Sequence, residues 1–242
     1  MEAHLLFPAG IYPILDVDAC NARNVHPARL VKLWKSLGWG PYQLRAKQFH
    51  AGEYIELAEK LQEAWSAAPS GKEANRWMDR PCIIANDFID AAWHRSDLFC
   101  GVHCGQSDAR KMGNREKEQI HQIREVGGIC GFSTHSEEEF RIAISDSRWS
   151  YVALGPVFST NSKTHSSDQS DALGIEATGR ILEKNWREAS DLAAVVIGGL
   201  DLDRYQECRR SWNVRPIPAM IAAVIDESSC RRLADGPLQG VA

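Results

Sequence analysis

The sequence predicts an α/β protein that folds as a single (β/α)8 barrel, a TIM barrel, over residues 1–242. Short apolar runs alternate with amphipathic stretches along the whole chain, and eight such units fit its 242 residues. The alternative is a doubly wound open sheet, but the first apolar run is not followed by a Gly-x-Gly-x-x-Gly turn. No stretch resembles a linker between domains. We expect one domain with long loops near residues 66–80 and 159–171.

The elements follow from the hydrophobic pattern. Leu30, Val31 and Trp34, for example, recur at the spacing of one buried helical face. Continuous apolar runs predict strands at residues 10–15, 42–44, 82–85, 98–102, 129–132, 151–154, 193–197 and 214–219. Amphipathic stretches predict helices at residues 27–37, 54–65, 88–93, 115–126, 137–144, 175–186, 202–212 and 220–233.

Composition excludes several classes of protein. Hydrophobic residues make up 44% and charged residues 25%, as in ordinary globular proteins, and the net charge is −4. We expect no nucleic-acid partner, because the chain carries no overall basic charge. We expect no membrane partner, because no apolar run approaches the roughly 18 residues of a spanning helix. Seven scattered cysteines favour a reduced, cytoplasmic protein, and the sequence leaves a homo-oligomer open.

Polar residues follow nearly every predicted strand, where a barrel of this kind builds its active site. Arg45, Lys47 and Lys163 could surround a polyanion. Asp87 and Asp108 suit one Mg²⁺ that also takes phosphate oxygens. The Gly198-Gly199 pair would let the backbone approach a phosphate. The sequence therefore predicts a diphosphate ligand and a second, monophosphorylated ligand. Other residues at strand ends are Asp16, Gln43, Asn86, His103, Gln106, Ser133, His135, Thr160 and Ser162.

Six motifs, taken in order, resemble the thiamine-phosphate synthase family, which includes thiazole tautomerase relatives. They are residues 42–47 (YQLRAK), 84–87 (IAND), 101–108 (GVHCGQSD), 131–135 (GFSTH), 154–163 (LGPVFSTNSK) and 196–200 (VIGGL). Members of this family are (β/α)8 barrels. The resemblance implies a transferase that condenses a hydroxymethylpyrimidine diphosphate with a thiazole phosphate, and that releases pyrophosphate and forms thiamine phosphate.

The resemblance also implies roles for individual residues. The pyrimidine diphosphate would be held by Gln43, Leu44, Arg45, Ala46, Lys47, Asn86, Ser133 and Lys163, of which Arg45, Lys47, Ser133 and Lys163 would act in catalysis. The thiazole phosphate would be held by Thr160, Asn161, Ser162, Gly199, Ile221 and Ala222. Mg²⁺ would be held by Asp87 and Asp108. Ser162 replaces the usual second threonine, and Ala222 stands where the family commonly has serine.

Two alternatives to the synthase stay open. A tautomerase-like enzyme would aromatise the thiazole phosphate by proton transfer through His135, because histidine suits acid–base chemistry near neutral pH. A non-catalytic barrel would bind a thiamine precursor without turnover. The retained cations and acids favour the synthase, because a tautomerase has no diphosphate to bind.

Overall fold

The computed structural model describes residues 6–71, 77–80, 82–160, 171–188 and 190–236. Eight strands form one closed barrel, and each strand pairs in parallel with its neighbour in chain order. The predicted (β/α)8 fold is confirmed. The strands are β1 (Tyr12–Asp16), β2 (Tyr42–Arg45), β3 (Ile83–Asn86), β4 (Phe99–Cys104), β5 (Ile129–Thr134), β6 (Tyr151–Leu154), β7 (Ala193–Ile197) and β8 (Ile217–Met220).

Several strand bounds differ from the prediction, each for a local reason. A turn in which the Gly10 N–H donates to the Phe7 carbonyl (2.9 Å) precedes β1, so that strand begins later than expected. Strands β3, β4 and β5 extend beyond their apolar runs to Asn86, Cys104 and Thr134. Apolar runs predict these strands too short, because the carboxyl ends of the strands carry polar side chains.

Helices surround the barrel and bury their apolar faces against it. They are α1 (Val17–Ala22), α2 (Pro27–Ser36), α3 (Ala51–Ala67), α4 (Ile89–His94), α5 (Gln106–Lys111), α6 (Asn114–Glu125), α7 (Glu137–Ala143), α8 (Ile175–Asn185), α9 (Leu202–Ser211) and α10 (Glu227–Asp235). The short helices α1 and α5 were not predicted. None of the helices in the described part of the chain combines the length and the apolar character needed to cross a bilayer.

Two helix predictions need correction. Helix α3 begins at Ala51, before the predicted residue 54, because the Glu53 carboxylate accepts the His50 N–H (2.9 Å) and caps an earlier turn. The helix predicted over residues 220–233 is wrong. A short 3₁₀ turn, Ala222–Val224, is followed by α10, because the Asp226 side chain accepts the Ser229 N–H (2.8 Å) and starts a new helix.

The two predicted long loops are described only in part. Helix α3 continues to Ala67, so the first loop begins after that residue, and residues 72–76 and 81 lie outside the described residues. Residues 161–170 of the second loop also lie outside them.

The barrel closes between its first and last strands. Two residue pairs join β1 to β8: Tyr12 lies opposite Ala219, and Pro13 lies opposite Met220. By contrast, four positions join each of the pairs β4–β5, β5–β6 and β6–β7. The closing seam is therefore the shorter one, and it lies beside the site described next.

Candidate active site

A cavity of about 80 Å³ lies at the carboxyl ends of the strands, where the sequence places the site. All eight strands, and several of the loops that follow them, contribute residues to its wall. The structure brings nine of the predicted site residues together in this wall, namely Gln43, Arg45, Lys47, Asn86, Asp87, Asp108, Ser133, His135 and Ile221.

Two predicted residues point elsewhere. Side chains alternate along a barrel strand between the interior and the surrounding helices. Gln43, Arg45 and Lys47 therefore share the cavity, whereas Leu44 and Ala46 lie in the hydrophobic core between the sheet and the helices. Three further predicted residues, Asn161, Ser162 and Lys163, lie outside the described residues, so their roles stay predictions.

Asp87 is the most constrained acid in the cavity. Its backbone has a positive φ of 64°, and its N–H donates to the His103 carbonyl (2.8 Å). Its Oδ1 accepts the Gly105 N–H (2.9 Å), and its Oδ2 accepts from Lys47 and from the Asn86 amide. Burial alone would raise the pKa of Asp87, but the Lys47 ammonium and the hydrogen bonds from Lys47 and Gly105 hold it below its ordinary value.

Asp108 is the second carboxylate of this cluster. Its Oδ2 lies 4.0 Å from the Lys47 Nζ and accepts from the Ser107 hydroxyl at 3.3 Å. Burial and the nearby Asp87 charge raise the pKa of Asp108 above its ordinary value. Within the described residues, Lys47 therefore lies near both acids, closer to Asp87 than to Asp108.

Arg45 already has a partner in the protein. Its guanidinium forms a salt bridge with the Asp16 carboxylate, whose side chain is only 3% exposed. The other oxygen of Asp16 accepts the Ala19 N–H (2.8 Å) and caps α1. The sequence shows Asp16 only as an acid at a strand end. Its pairing with Arg45 depends on the register between β1 and β2, which sets the two residues opposite each other.

The charges of these residues favour a divalent cation. Within the described residues of this site, Arg45 and Lys47 bring two positive charges, whereas Asp16, Asp87 and Asp108 bring three negative ones. This balance of charge would by itself repel a diphosphate. Within the described residues no cluster of three or more His, Cys, Asp or Glu side chains could hold a metal. Two carboxylates are nevertheless the usual protein share of a Mg²⁺ site, which is completed by water and phosphate oxygens. Asp87 and Asp108 fit that role.

A second cavity, of about 470 Å³, adjoins the first. Ile197, Ala219 and Ile221 line both cavities, so ligands in the two would meet there. The predicted phosphate-binding residues in its wall are Thr160, Gly199, Ile221 and Ala222. Its wall also includes Arg23 and Arg204, two arginines that no motif or strand end in the sequence marks as functional.

Gly199 shapes this second cavity. Its φ is +63°, and a Cβ atom there would lie 2.9 Å from the Phe158 Cβ and 3.0 Å from the Ser159 carbonyl oxygen. Only glycine fits such a position. The Arg204 Nη1 donates to the Gly199 carbonyl (2.6 Å), and its guanidinium lies 5.0 Å from the centre of the Phe158 ring. The turn that carries the glycine therefore also fixes an arginine at the cavity.

His135 lines the first cavity in a defined protonation pattern. Its Nδ1 lies 2.6 Å from the Gly155 carbonyl oxygen. A carbonyl oxygen can only accept, so the Nδ1 carries the proton. In the neutral ring the Nε2 is then the atom left to accept or transfer a proton.

The chain is similar to known proteins along most of its length. A family model described as thiamine monophosphate synthase matches residues 11–217. A thiamine-phosphate synthase of Shigella dysenteriae serotype 1 is 36% identical over 200 residues, which cover 82% of this chain and 76% of that protein. One from Leptospira biflexa serovar Patoc is 26% identical over 201 residues, 82% of each chain.

The fold has a counterpart among solved structures. A crystal structure of thiamine phosphate pyrophosphorylase from Bacteroides thetaiotaomicron superposes with a TM-score of 0.50 at 15% sequence identity, and the match covers 93% of this chain and 98% of that one. This likeness supports the barrel fold. With the family model matching most of the chain, the protein belongs to the thiamine monophosphate synthase family.

Proposed function

We propose that the protein is a thiamine-phosphate synthase, a transferase that joins 4-amino-2-methyl-5-(diphosphooxymethyl)pyrimidine to thiazole phosphate and releases pyrophosphate. The observation that carries this proposal is the pair of adjoining cavities. One contains an acid pair with two cations, and the other contains a glycine turn with two arginines. A condensation of two phosphorylated substrates needs such neighbouring sites.

The first cavity would take the pyrimidine diphosphate. Gln43, Asn86 and Ser133 offer hydrogen-bonding groups at its wall, and Lys47 offers a charged donor. Asp87 and Asp108 would hold Mg²⁺, which when bound would neutralise negative charge on the diphosphate. Lys163 is assigned to the same substrate by the family resemblance and stays a prediction.

The reaction needs positioning and charge stabilisation rather than a protein nucleophile. The bond between the pyrimidine methylene carbon and the diphosphate oxygen breaks, and its electron pair leaves with the diphosphate. The thiazole nitrogen then forms the new bond to that carbon. Lys47 lies beside the acid pair, where negative charge would develop on the leaving group. The second cavity would hold the thiazole phosphate so that its ring reaches the shared wall at Ala219 and Ile221.

Product formation by the purified protein tests the proposal. The protein would be given pyrimidine diphosphate, thiazole phosphate and Mg²⁺, and thiamine phosphate would be detected by mass, with EDTA in a parallel sample. We expect product that EDTA abolishes. A folded sample that forms no product would contradict the synthase, and product unaffected by EDTA would contradict the metal assignment.

His135 supports a second candidate function, aromatisation of thiazole phosphate by proton transfer. Its Nε2 is the nitrogen that can accept a proton in the neutral ring, because the Nδ1 donates to the Gly155 carbonyl. The acid pair favours the synthase, since a tautomerase binds no diphosphate. An aromatisation assay on the same sample separates the two, and a binding measurement without turnover in either assay would identify a non-catalytic barrel.

We predict that Arg204 contributes to binding of the thiazole phosphate. Its guanidinium is fixed by Gly199 at the wall of the second cavity, and Ala222 offers no side-chain hydroxyl there. Arg204→Gln should raise the KM for thiazole phosphate about 10-fold, the equivalent of one charge-assisted hydrogen bond. The KM for the pyrimidine diphosphate should not change. Steady-state kinetics with each substrate varied in turn would measure both.

Arg210→Gln is the matched control, because Arg210 lies exposed in the last turn of the same helix, α9, and lines neither cavity. Equal effects of the two substitutions would contradict a specific role for Arg204.

A further inference from the structure

A chain of buried hydrogen bonds crosses the barrel beneath the first cavity. The Gln43 Nε2 donates to the Tyr12 hydroxyl (2.8 Å), and the Tyr12 and Tyr151 hydroxyls lie 2.7 Å apart. The Tyr151 hydroxyl lies 2.9 Å from the His103 Nδ1, and the His103 Nε2 lies 2.9 Å from the Ser133 Oγ. Five strands each contribute one of these residues. All of them except Tyr151 line the cavity.

The first donor and the pairing of the two tyrosine protons favour one direction for these hydrogen bonds. An amide nitrogen can only donate, so the Tyr12 oxygen accepts from Gln43. If Tyr151 also donated to Tyr12, the Tyr12 proton would have no acceptor in this set of hydrogen bonds. When Tyr12 donates to Tyr151, and Tyr151 to the His103 Nδ1, both tyrosine protons have an acceptor. A neutral imidazole that accepts at Nδ1 carries its proton at Nε2, and donates it to the Ser133 oxygen.

We infer that Tyr151 is a positioning residue for the pyrimidine diphosphate site: it fixes the tautomer of His103, so that the Ser133 oxygen accepts from the imidazole and the Ser133 proton is left to donate to the substrate. This inference rests on the proposed function, in which Ser133 contacts the pyrimidine diphosphate. If the hydrogen bonds ran in the opposite direction, Ser133 would donate to His103 and would offer the substrate only lone pairs.

The packing around Tyr151 separates its hydroxyl from its ring. The ring meets Phe7 and Tyr12 edge to face, with centroids 5.5 Å and 5.3 Å away, and stacks on His103 at 5.6 Å. Gly131 approaches so closely that a Cβ atom there would lie 1.9 Å from the Tyr151 Cζ. Burial raises the pKa of Tyr151 well above its ordinary value, so the hydroxyl keeps its proton at neutral pH. Phenylalanine would keep the packing and remove only the donor.

Tyr42 provides a matched control. It is also a fully buried tyrosine of a barrel strand, and within the described residues its hydroxyl has no hydrogen-bond partner. Tyr42→Phe removes a hydroxyl from the same fold without breaking a hydrogen bond. We expect it to leave both substrates' KM values and kcat unchanged.

The first experiment is a double-mutant cycle with Tyr151→Phe and Ser133→Ala. Tyr151→Phe should lower kcat/KM for the pyrimidine diphosphate about 10-fold, as expected for one well-made hydrogen bond. It should leave the KM for thiazole phosphate unchanged. In the Ser133→Ala background it should have almost no further effect. The full loss in both backgrounds, or no loss in the wild-type background, would overturn the inference.

The second experiment needs no turnover. In ¹⁵N-histidine NMR spectra of the full chain, with His103 assigned by its loss in His103→Gln, we expect the proton of His103 on Nε2 in the wild type. We expect a mixture of tautomers in Tyr151→Phe. A wild-type His103 with its proton on Nδ1 would overturn the inference even if Tyr151→Phe fails to fold. Because the tautomer is read without substrate, an inactive protein with the expected spectrum would contradict the proposed function and leave standing only the control of the His103 tautomer by Tyr151.

Discussion

Asp87→Asn should lower kcat by about 10²–10³-fold with both substrates and Mg²⁺ saturating, the loss typical of removing one preorganised electrostatic group at a leaving group. The substitution removes the acid charge that the Lys47 ammonium and the Gly105 N–H organise. Asparagine is, with aspartate, one of the few residues besides glycine that accept the positive φ of 64° found here, so the turn should survive. Initial rates measured over a range of Mg²⁺ concentrations would give the loss of kcat. They would also show whether the Mg²⁺ concentration for half-maximal rate changes.

Asp90→Asn is the control for this experiment. Asp90 lies three residues further along the chain, pairs with Arg115 (3.0 Å) at the surface and lines neither cavity. A kcat close to the wild-type value for Asp87→Asn, or equal losses for the two variants, would remove the basis for the proposed metal site.

Arg45→Met should cost roughly 3–5 kcal/mol of unfolding free energy, because it leaves the Asp16 carboxylate buried without its counter-ion. The Asp16 side chain is only 3% exposed, so in the folded protein its charge is poorly hydrated and depends on the guanidinium. The double variant Asp16→Asn/Arg45→Met should recover most of the loss, because its asparagine still accepts the Ala19 N–H and keeps the α1 cap. Urea unfolding at 25 °C, followed by tryptophan fluorescence, would measure these free energies.

Arg115→Met serves as the exposed comparison, because Arg115 and Asp90 keep 69% and 62% of their side chains exposed. It should cost less than about 1 kcal/mol. A loss of similar size for Arg45→Met would show that the pair with Asp16 adds little. A double variant no more stable than Arg45→Met would show that the loss has another cause.

The sequence was most informative where a physical rule links local pattern to structure. Strand β6 was predicted with its exact bounds, because its four residues are all buried and form a continuous apolar run. The alternation of Gln43, Arg45 and Lys47 placed three polar side chains in one cavity. The helix at the end of the chain was mispredicted, because an apolar stretch does not reveal that Asp226 starts a separate helix.

The remaining features of the site depend on contacts between distant parts of the chain. Asp16 meets Arg45 only through strand register, and Tyr151 on β6 meets His103 on β4, the next strand but one. Arg204 reaches the second cavity because a glycine turn holds its guanidinium, which no periodicity in α9 indicates. The predicted roles of the site residues, including that of Lys163, stay predictions until the variants are measured.

The short seam between β1 and β8 links ligand binding to the stability of the barrel. Two prolines lie along it, Pro13 and Pro218, and neither can donate to the backbone ladder. We expect the barrel to open transiently at this line first, so that its amides exchange with deuterated solvent sooner than those of β4–β6. Tyr12 on one side and Ala219 on the other face the first cavity. Substrates bound there would contact both strands of the seam and slow the exchange of their amide hydrogens. Ligand binding would therefore also stabilise the closed barrel.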